Sequence, residues 1–152
     1  MGDIVNLKEK INSEMVSSAK AKDKIKLSAI RMIKSALHNK EIDLKRELSD
    51  EELLQVLSSI VKQRKDSIEQ FRKGGRLELA EKEEKELAVV QFFMPEQLSE
   101  EEVETEIEKA IEDVGAVSIK EMGKVMKVVM PRLTGRADGK IVIEKVKAKL
   151  SA

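Results

Sequence analysis

The sequence predicts an all-α protein: an N-terminal helical domain built on a long antiparallel helix hairpin, followed by a small three-helix tail. Three observations lead there. Strand signals are nearly absent, with three Phe and no Tyr or Trp among 152 residues. Apolar side chains recur at the i, i+3, i+4 spacing of a helix face instead of alternating. Ser-x-x-Glu pairs stand just ahead of several apolar runs, where a helix start needs acceptors for its free amides.

Ile4, Leu7, Ile11 and Met15 form a first stripe, ending in the polar Ser17–Lys24 stretch. Asp23 is placed to cap a second helix whose inner face is Leu27, Ile30, Ile33 (or Lys34) and Leu37. Ser49 with Glu52 makes a capping box ahead of a long helix carrying Leu53, Leu57, Ile60, Ile68 and Phe71 inward. Gly74-Gly75 supplies a left-handed stop. The return helix, from about Arg76 to Phe93, offers Leu77, Ala80, Leu87 and Val90 as its buried side, and the short turn makes the pair a hairpin. Arg64 falls near the inward stripe and is expected to pair with Glu83 or Glu84 across the hairpin. The three Phe residues are expected in the core.

Pro95 interrupts the chain, and Ser99 with Glu102 opens a new box. The domains are therefore placed at residues 1–96 and 97–152. The tail reads as three helices near 99–113, 119–130 and 138–150. Gly115 ends the first, Ser118 with Glu121 boxes the second, Pro131 and Gly135 break it, and Asp138 caps the third.

Charge is balanced overall, 29 basic against 29 acidic residues, but unevenly placed. Residues 99–114 carry one basic and eight acidic side chains; residues 115–152 carry nine basic and three acidic. Such asymmetry points to a polyanion partner or to ordinary solvated helices. Lys120, Lys124 and Lys127 cluster on one side of the second tail helix, with Gly123 at their border, and Arg132, Arg136 and Lys140 follow around Gly135 and Gly139. These six cations are the candidate RNA-binding set, and the three glycines are candidate points of close backbone approach. The alternative is a solvated lysine face on an amphipathic helix. The loop lacks the GxxxxGK[ST] spacing of a nucleotide-hydrolysing P-loop, so backbone phosphates of a nucleic acid are the better ligand. Without Tyr or Trp, bound RNA would be recognised by shape and phosphate, not by stacking. Lys20, Lys22, Lys24, Lys26, Arg31 and Lys34 form a second basic set whose alternation with Ala and Asp near a turn reads as solvated, the alternative being a second binding surface.

Catalytic parts are scarce. His38 is the single histidine and there is no Cys, which leaves zinc sites and Cys/His nucleophile systems without their components. No catalytic residue, metal or cofactor is expected. The start of the chain lacks the apolar run of a signal peptide and no stretch reaches membrane-span length, giving an expected cytoplasmic location.

The segment Gly123-Lys-Val-Met-Lys127, with Gly135-Arg-Ala137 and a final helix after it, resembles the tail signature that YqeY-like proteins share with the GatB subunit of tRNA-dependent amidotransferase. Ser28-Ala-Ile-Arg-Met-Ile-Lys34, Lys62-Gln-Arg64 with Ser67-Ile68, Leu79-Ala-Glu-Lys82 and Leu98-Ser-Glu-Glu101 extend the likeness over the chain. Phe92-Phe-Met-Pro95 departs slightly from the usual Tyr-Leu-Pro type. The resemblance implies a two-domain helical protein whose tail grips tRNA, or one attached to a tRNA-linked amidotransferase or synthetase complex, with no membrane or DNA partner. It also implies an alternative, a stand-alone component of a glutamine-dependent carbon–nitrogen ligase, although neither the GatB catalytic cradle nor an amidase Ser/Ser/Lys site is recognisable. A third expectation is a protein-interaction module that uses the hairpin face.

Overall fold

The computed structural model describes residues 6–151. Among them run seven α-helices: α1 (Leu7–Lys20), α2 (Lys24–Leu44), α3 (Asp50–Lys73), α4 (Leu77–Phe92), α5 (Glu100–Val114), α6 (Met122–Leu133) and α7 (Gly139–Ser151). A 3-10 turn occupies Ile119–Glu121, and the described residues contain no strand. Ile4, expected on the first stripe, lies outside them. The chain separates into two compact units, Met1–Pro95 and Glu96–Ala152.

In the first unit the starts of α1, α2 and α3 are capped by a side chain that accepts from a first-turn amide, whereas α4, after Arg76, has no such cap. Asn6 accepts from the Lys8 N–H at 3.0 Å and Asp23 from the Lys26 N–H at 3.1 Å. Ser49 and Glu52 form the reciprocal box, with contacts of 3.2 and 3.0 Å. Ile11, Ile30, Ile33, Leu37, Leu53, Leu57, Ile60, Val90 and Phe93 make the core. Leu77 does not join it and is 62% exposed. It is the first residue of α4, at the hairpin tip, where Ala80 takes the buried position instead. Phe92 also leaves the core, at 49% exposure. Lys10 and Lys26 lie 4.6 and 5.3 Å from its ring centre, a cation–π arrangement, while Phe93 is buried beside it.

The hairpin is clasped by ion pairs. Arg64 reaches Glu83 and, at 2.9 Å, Glu86, while Glu84 pairs with Arg72. The partners of Arg64 are thus one expected and one unexpected glutamate, both on α4. Arg64→Met would leave two half-buried carboxylates facing each other. It is expected to destabilise the first unit by roughly 1–3 kcal/mol, below the cost for fully buried pairs because water still reaches all three groups. Urea denaturation measures this. Arg64→Lys is expected to recover only part, since an ammonium lacks the guanidinium fork; complete recovery would contradict a geometric role.

Four carboxylates are held below their ordinary value by donors. The Arg46 guanidinium, and then the Ser49 N–H, take Glu52 from 4.5 down to about 2. Lys8 and the Leu48 N–H lower Glu41, the Ser99 N–H lowers Glu102, and Lys145 lowers Glu104. With these values lower in the folded chain, the unfolded chain binds more protons in the acid range. The associated stability is complete above about pH 4.5 and is lost as pH falls toward about 2. The urea midpoint is therefore expected to stay level from pH 7 to 5 and to fall below 4.5; a midpoint unchanged at pH 3 would exclude these pairs as contributors.

Candidate functional site

The second unit packs α5, α6 and α7 around Val103, Ile107, Ala110, Val125, Val129, Leu133, Val142, Val146 and Leu150. α5 begins with the Ser99–Glu102 box, with contacts of 3.2 and 3.0 Å. Lys145 donates to Glu104 at 2.9 Å and Lys149 to Glu108 at 2.8 Å. Both pairs keep the same offset along the chain, so α5 and α7 run side by side in the same direction with an i, i+4 ladder of bridges. At the end of α5, Asp113 accepts from Arg132 on α6 at 3.0 Å. Acid and base that looked segregated in the sequence therefore neutralise each other in part within this unit.

The structure sorts the six expected cations. Lys124 and Lys127 are exposed neighbours on α6, with no ion pair among the described residues, and Val125, Val129 and Leu133 are buried on the same helix. Lys120 is exposed too, but it lies in the 3-10 turn, so the continuous helix expected from 119 begins at Met122. Lys140 is exposed in the first turn of α7. Arg132 is engaged by Asp113. Arg136 is half-buried; its Nε donates to the Glu96 carbonyl at 3.4 Å and its own carbonyl accepts from the Leu98 N–H at 2.9 Å. The open set is thus Lys120, Lys124, Lys127 and Lys140.

The three glycines have different duties. A side chain added at Gly123 would meet nothing within 4 Å, so no packed helix approaches there and the backbone is open to a ligand. Gly135 is buried at φ +79°, a conformation that penalises a Cβ, and its carbonyl accepts from Gln97 Nε2 at 2.6 Å. It serves the turn, not an approaching partner. Gly139 has no crowding either: an added Cβ would meet Met130 Cε at an ordinary 3.7 Å.

Two expected helix boundaries are corrected. Pro131 does not break α6, which continues to Leu133. The exposed ring fails to supply an N–H to the Lys127 carbonyl, a single loss in the last turn, and the buried Thr134 closes the end through its N–H and hydroxyl, both bonded to the Met130 carbonyl at 2.8 and 2.6 Å. Ser118 makes no side-chain cap, and Glu121 instead accepts from the Val117 N–H at 3.2 Å. Asp138 does cap α7, accepting from the Lys140 N–H at 2.9 Å. That carboxylate occupies the helix start, leaving side chains, not the α7 amides, as anion ligands. Among the described residues, no group of His, Asp or Glu side chains could hold a metal ion, and no helix is long and apolar enough to cross a membrane.

Residues 8–150 match the family described as Yqey-like protein. The chain belongs to that family. Yqey-like relatives include the protein named "Altered inheritance of mitochondria protein 41, mitochondrial" of Vanderwaltozyma polyspora, 36% identical over 126 residues that cover 78% of this chain and 66% of that protein. The same-named protein of Saccharomyces cerevisiae is 43% identical over 75 residues, 49% of this chain and 40% of that one. An uncharacterized protein of Schizosaccharomyces pombe is 36% identical over 96 residues, 63% of this chain and 78% of that one. The chain thus spans 66% or less of the length of the two mitochondrial relatives. Their names overturn the expected cytoplasmic location. That expectation rested on the lack of an apolar signal run, whereas mitochondrial targeting uses amphipathic, Arg-rich segments and leaves no such mark.

Proposed function

We propose that this Yqey-like chain is a non-catalytic helical protein that grips the phosphates of folded RNA, tRNA above all, through its second unit. The observation that carries this reading is the open lysine face: Lys120, Lys124 and Lys127 are exposed and unpaired among the described residues, beside the uncovered backbone at Gly123. Acids on α5 have already drawn off Arg132, Lys145 and Lys149, whereas Lys120, Lys124, Lys127 and Lys140 stay exposed with no ion pair among the described residues, as does Lys147 on α7. Arg136 lends charge from the turn, and Arg132 contributes by exchanging Asp113 for phosphate. The second unit contains no aromatic residue, so base stacking is not available there and phosphate and 2′-OH contacts are the remaining chemistry. The choice of tRNA comes from the likeness to the GatB tail.

Gel-shift titration of total tRNA at several salt concentrations tests the reading. Four to six phosphate contacts give a slope of log affinity against log salt of roughly −3 to −5. Binding that persists without salt dependence, or no binding at low salt, would contradict it.

A further inference from the structure

Residues 24–40 of α2 carry five basic side chains and no Asp or Glu. Its neighbours differ: α3 holds five of each sign, and α4 two bases and five acids. Lys24, Ser28, Arg31, Ser35, His38 and Asn39 are all exposed. At about 100° per residue they fall within an arc of about 100°, and the stripe they form is about 22 Å long. Every side chain in it can donate a hydrogen bond, and none is in an ion pair or a side-chain hydrogen bond among the described residues. The hydroxyls show the contrast. Ser18 and Thr105 spend theirs on carbonyls of their own helices, those of Glu14 at 2.6 Å and Glu101 at 2.9 Å, whereas Ser28 and Ser35 keep theirs open. Helix stability does not account for this face. Lys24 stands in the first turn of α2, which holds no acid and where the dipole disfavours a cation. Just ahead of it, Lys22 holds a left-handed φ of +58°, a conformation that favours glycine.

We propose that this outer stripe of α2 is a second RNA contact, with Lys24 and Arg31 on backbone phosphates and Ser28, Ser35 and Asn39 on phosphate or 2′-OH oxygens. The inference rests on the RNA reading above and extends it to the first unit. Two cations alone hold RNA weakly, so the stripe secures an RNA that the second unit already grips. The mixture of side chains decides the ligand. A lipid surface calls for apolar side chains beside the cations, and the stripe has none. An acidic peptide calls for charge, whereas four of the six side chains are neutral-type donors that suit the oxygens of a sugar–phosphate backbone.

The test is an amide NMR titration of the full chain with tRNA, in which residues 24–39 should shift together with α6. Lys24→Glu with Arg31→Glu should weaken tRNA binding about tenfold or more and flatten its salt slope by about two. Ser28→Ala with Ser35→Ala should weaken it about threefold or more at unchanged slope, because hydrogen bonds but no charges are lost. Ala favours the helix more than Ser does, so that loss cannot come from unfolding. Polyglutamate and vesicles of anionic lipid should leave Ser28 and Ser35 unshifted. Shifts on α6 alone, or full affinity in either double variant, would overturn this contact and leave the lysine face standing. Shifts on α2 alone would sustain it and remove the lysine face. Polyglutamate or vesicle binding that needs Lys24 and Arg31 as much as tRNA binding does would give the stripe to that partner and overturn the proposal.

Discussion

Reversing Lys124 and Lys127 to Glu together is expected to reduce tRNA affinity by well over tenfold while leaving helicity unchanged. Each phosphate contact releases counterions with a weight near 0.9 in the logarithm of salt, so two contacts at about 0.1 M salt are worth on the order of sixtyfold. The added carboxylates repel phosphate and push the loss further. The salt slope should flatten by about two, one for each lost contact. Folding is spared because both lysines are exposed and hold no ion pair among the described residues, with the helix's apolar side buried on Val125, Val129 and Leu133. A matched control reverses Lys82 and Lys85 on α4, which are also exposed and change net charge equally. If both double variants lose the same affinity, the effect is overall charge and the lysine face is not the site. Arg132→Glu should lose less than either α6 lysine, because in the free protein that arginine is already engaged by Asp113.

What could be read in the sequence depended on whether the governing interaction was local. The boxes at Ser49 and Ser99 were legible because each involves residues three apart, and both form. Ser118 and Glu121 have the same spacing and fail, because a 3-10 turn replaces the first α-turn and Glu121 turns back to the Val117 amide. Pro131 shows the converse. The rule that proline stops a helix assumes that the missing amide is needed, and in a last turn closed by Thr134 it is not. The apolar stripes of α2 and α3 predicted Ile30, Ile33, Leu53 and Leu57 as core, whereas Leu77 and Phe92 sit at the ends of α4, Leu77 exposed and Phe92 under the side chains of Lys10 and Lys26 and not in the core. The candidate site was half legible. Periodicity brought Lys124 and Lys127 to one face, but no spacing could show that Asp113 would capture Arg132 or that Gln97 and Leu98 would tie down the Gly135–Arg136 turn, since these contacts span 19 to 40 residues. The acid–base asymmetry that suggested a polyanion is partly spent between α5 and α7.

Ile107→Ala is expected to unfold the second unit selectively. Ile107 has no exposed surface and lies in a core made only of aliphatic side chains, with no aromatic to add area. Removing the buried side chain beyond Cβ costs about 2–5 kcal/mol, the transfer loss plus the cavity left behind. A three-helix unit of this size rarely holds more than about 3–5 kcal/mol in a single core, so one substitution consumes most of its margin. The caps at Ser99 and Asp138 contribute about 1 kcal/mol each and cannot compensate. Amide exchange should lose protection across α5, α6 and α7, while α2 and α3 keep theirs through Leu53, Leu57, Ile30 and Ile33. The same variant should lose tRNA binding even though every candidate lysine is present, because exposed cations grip a folded anion only when a rigid helix holds them in fixed spacing. Protection lost evenly across the chain would show that the two units unfold as one, and tRNA binding retained by an unfolded second unit would mean that loose charge, not the α6 surface, is what RNA recognises.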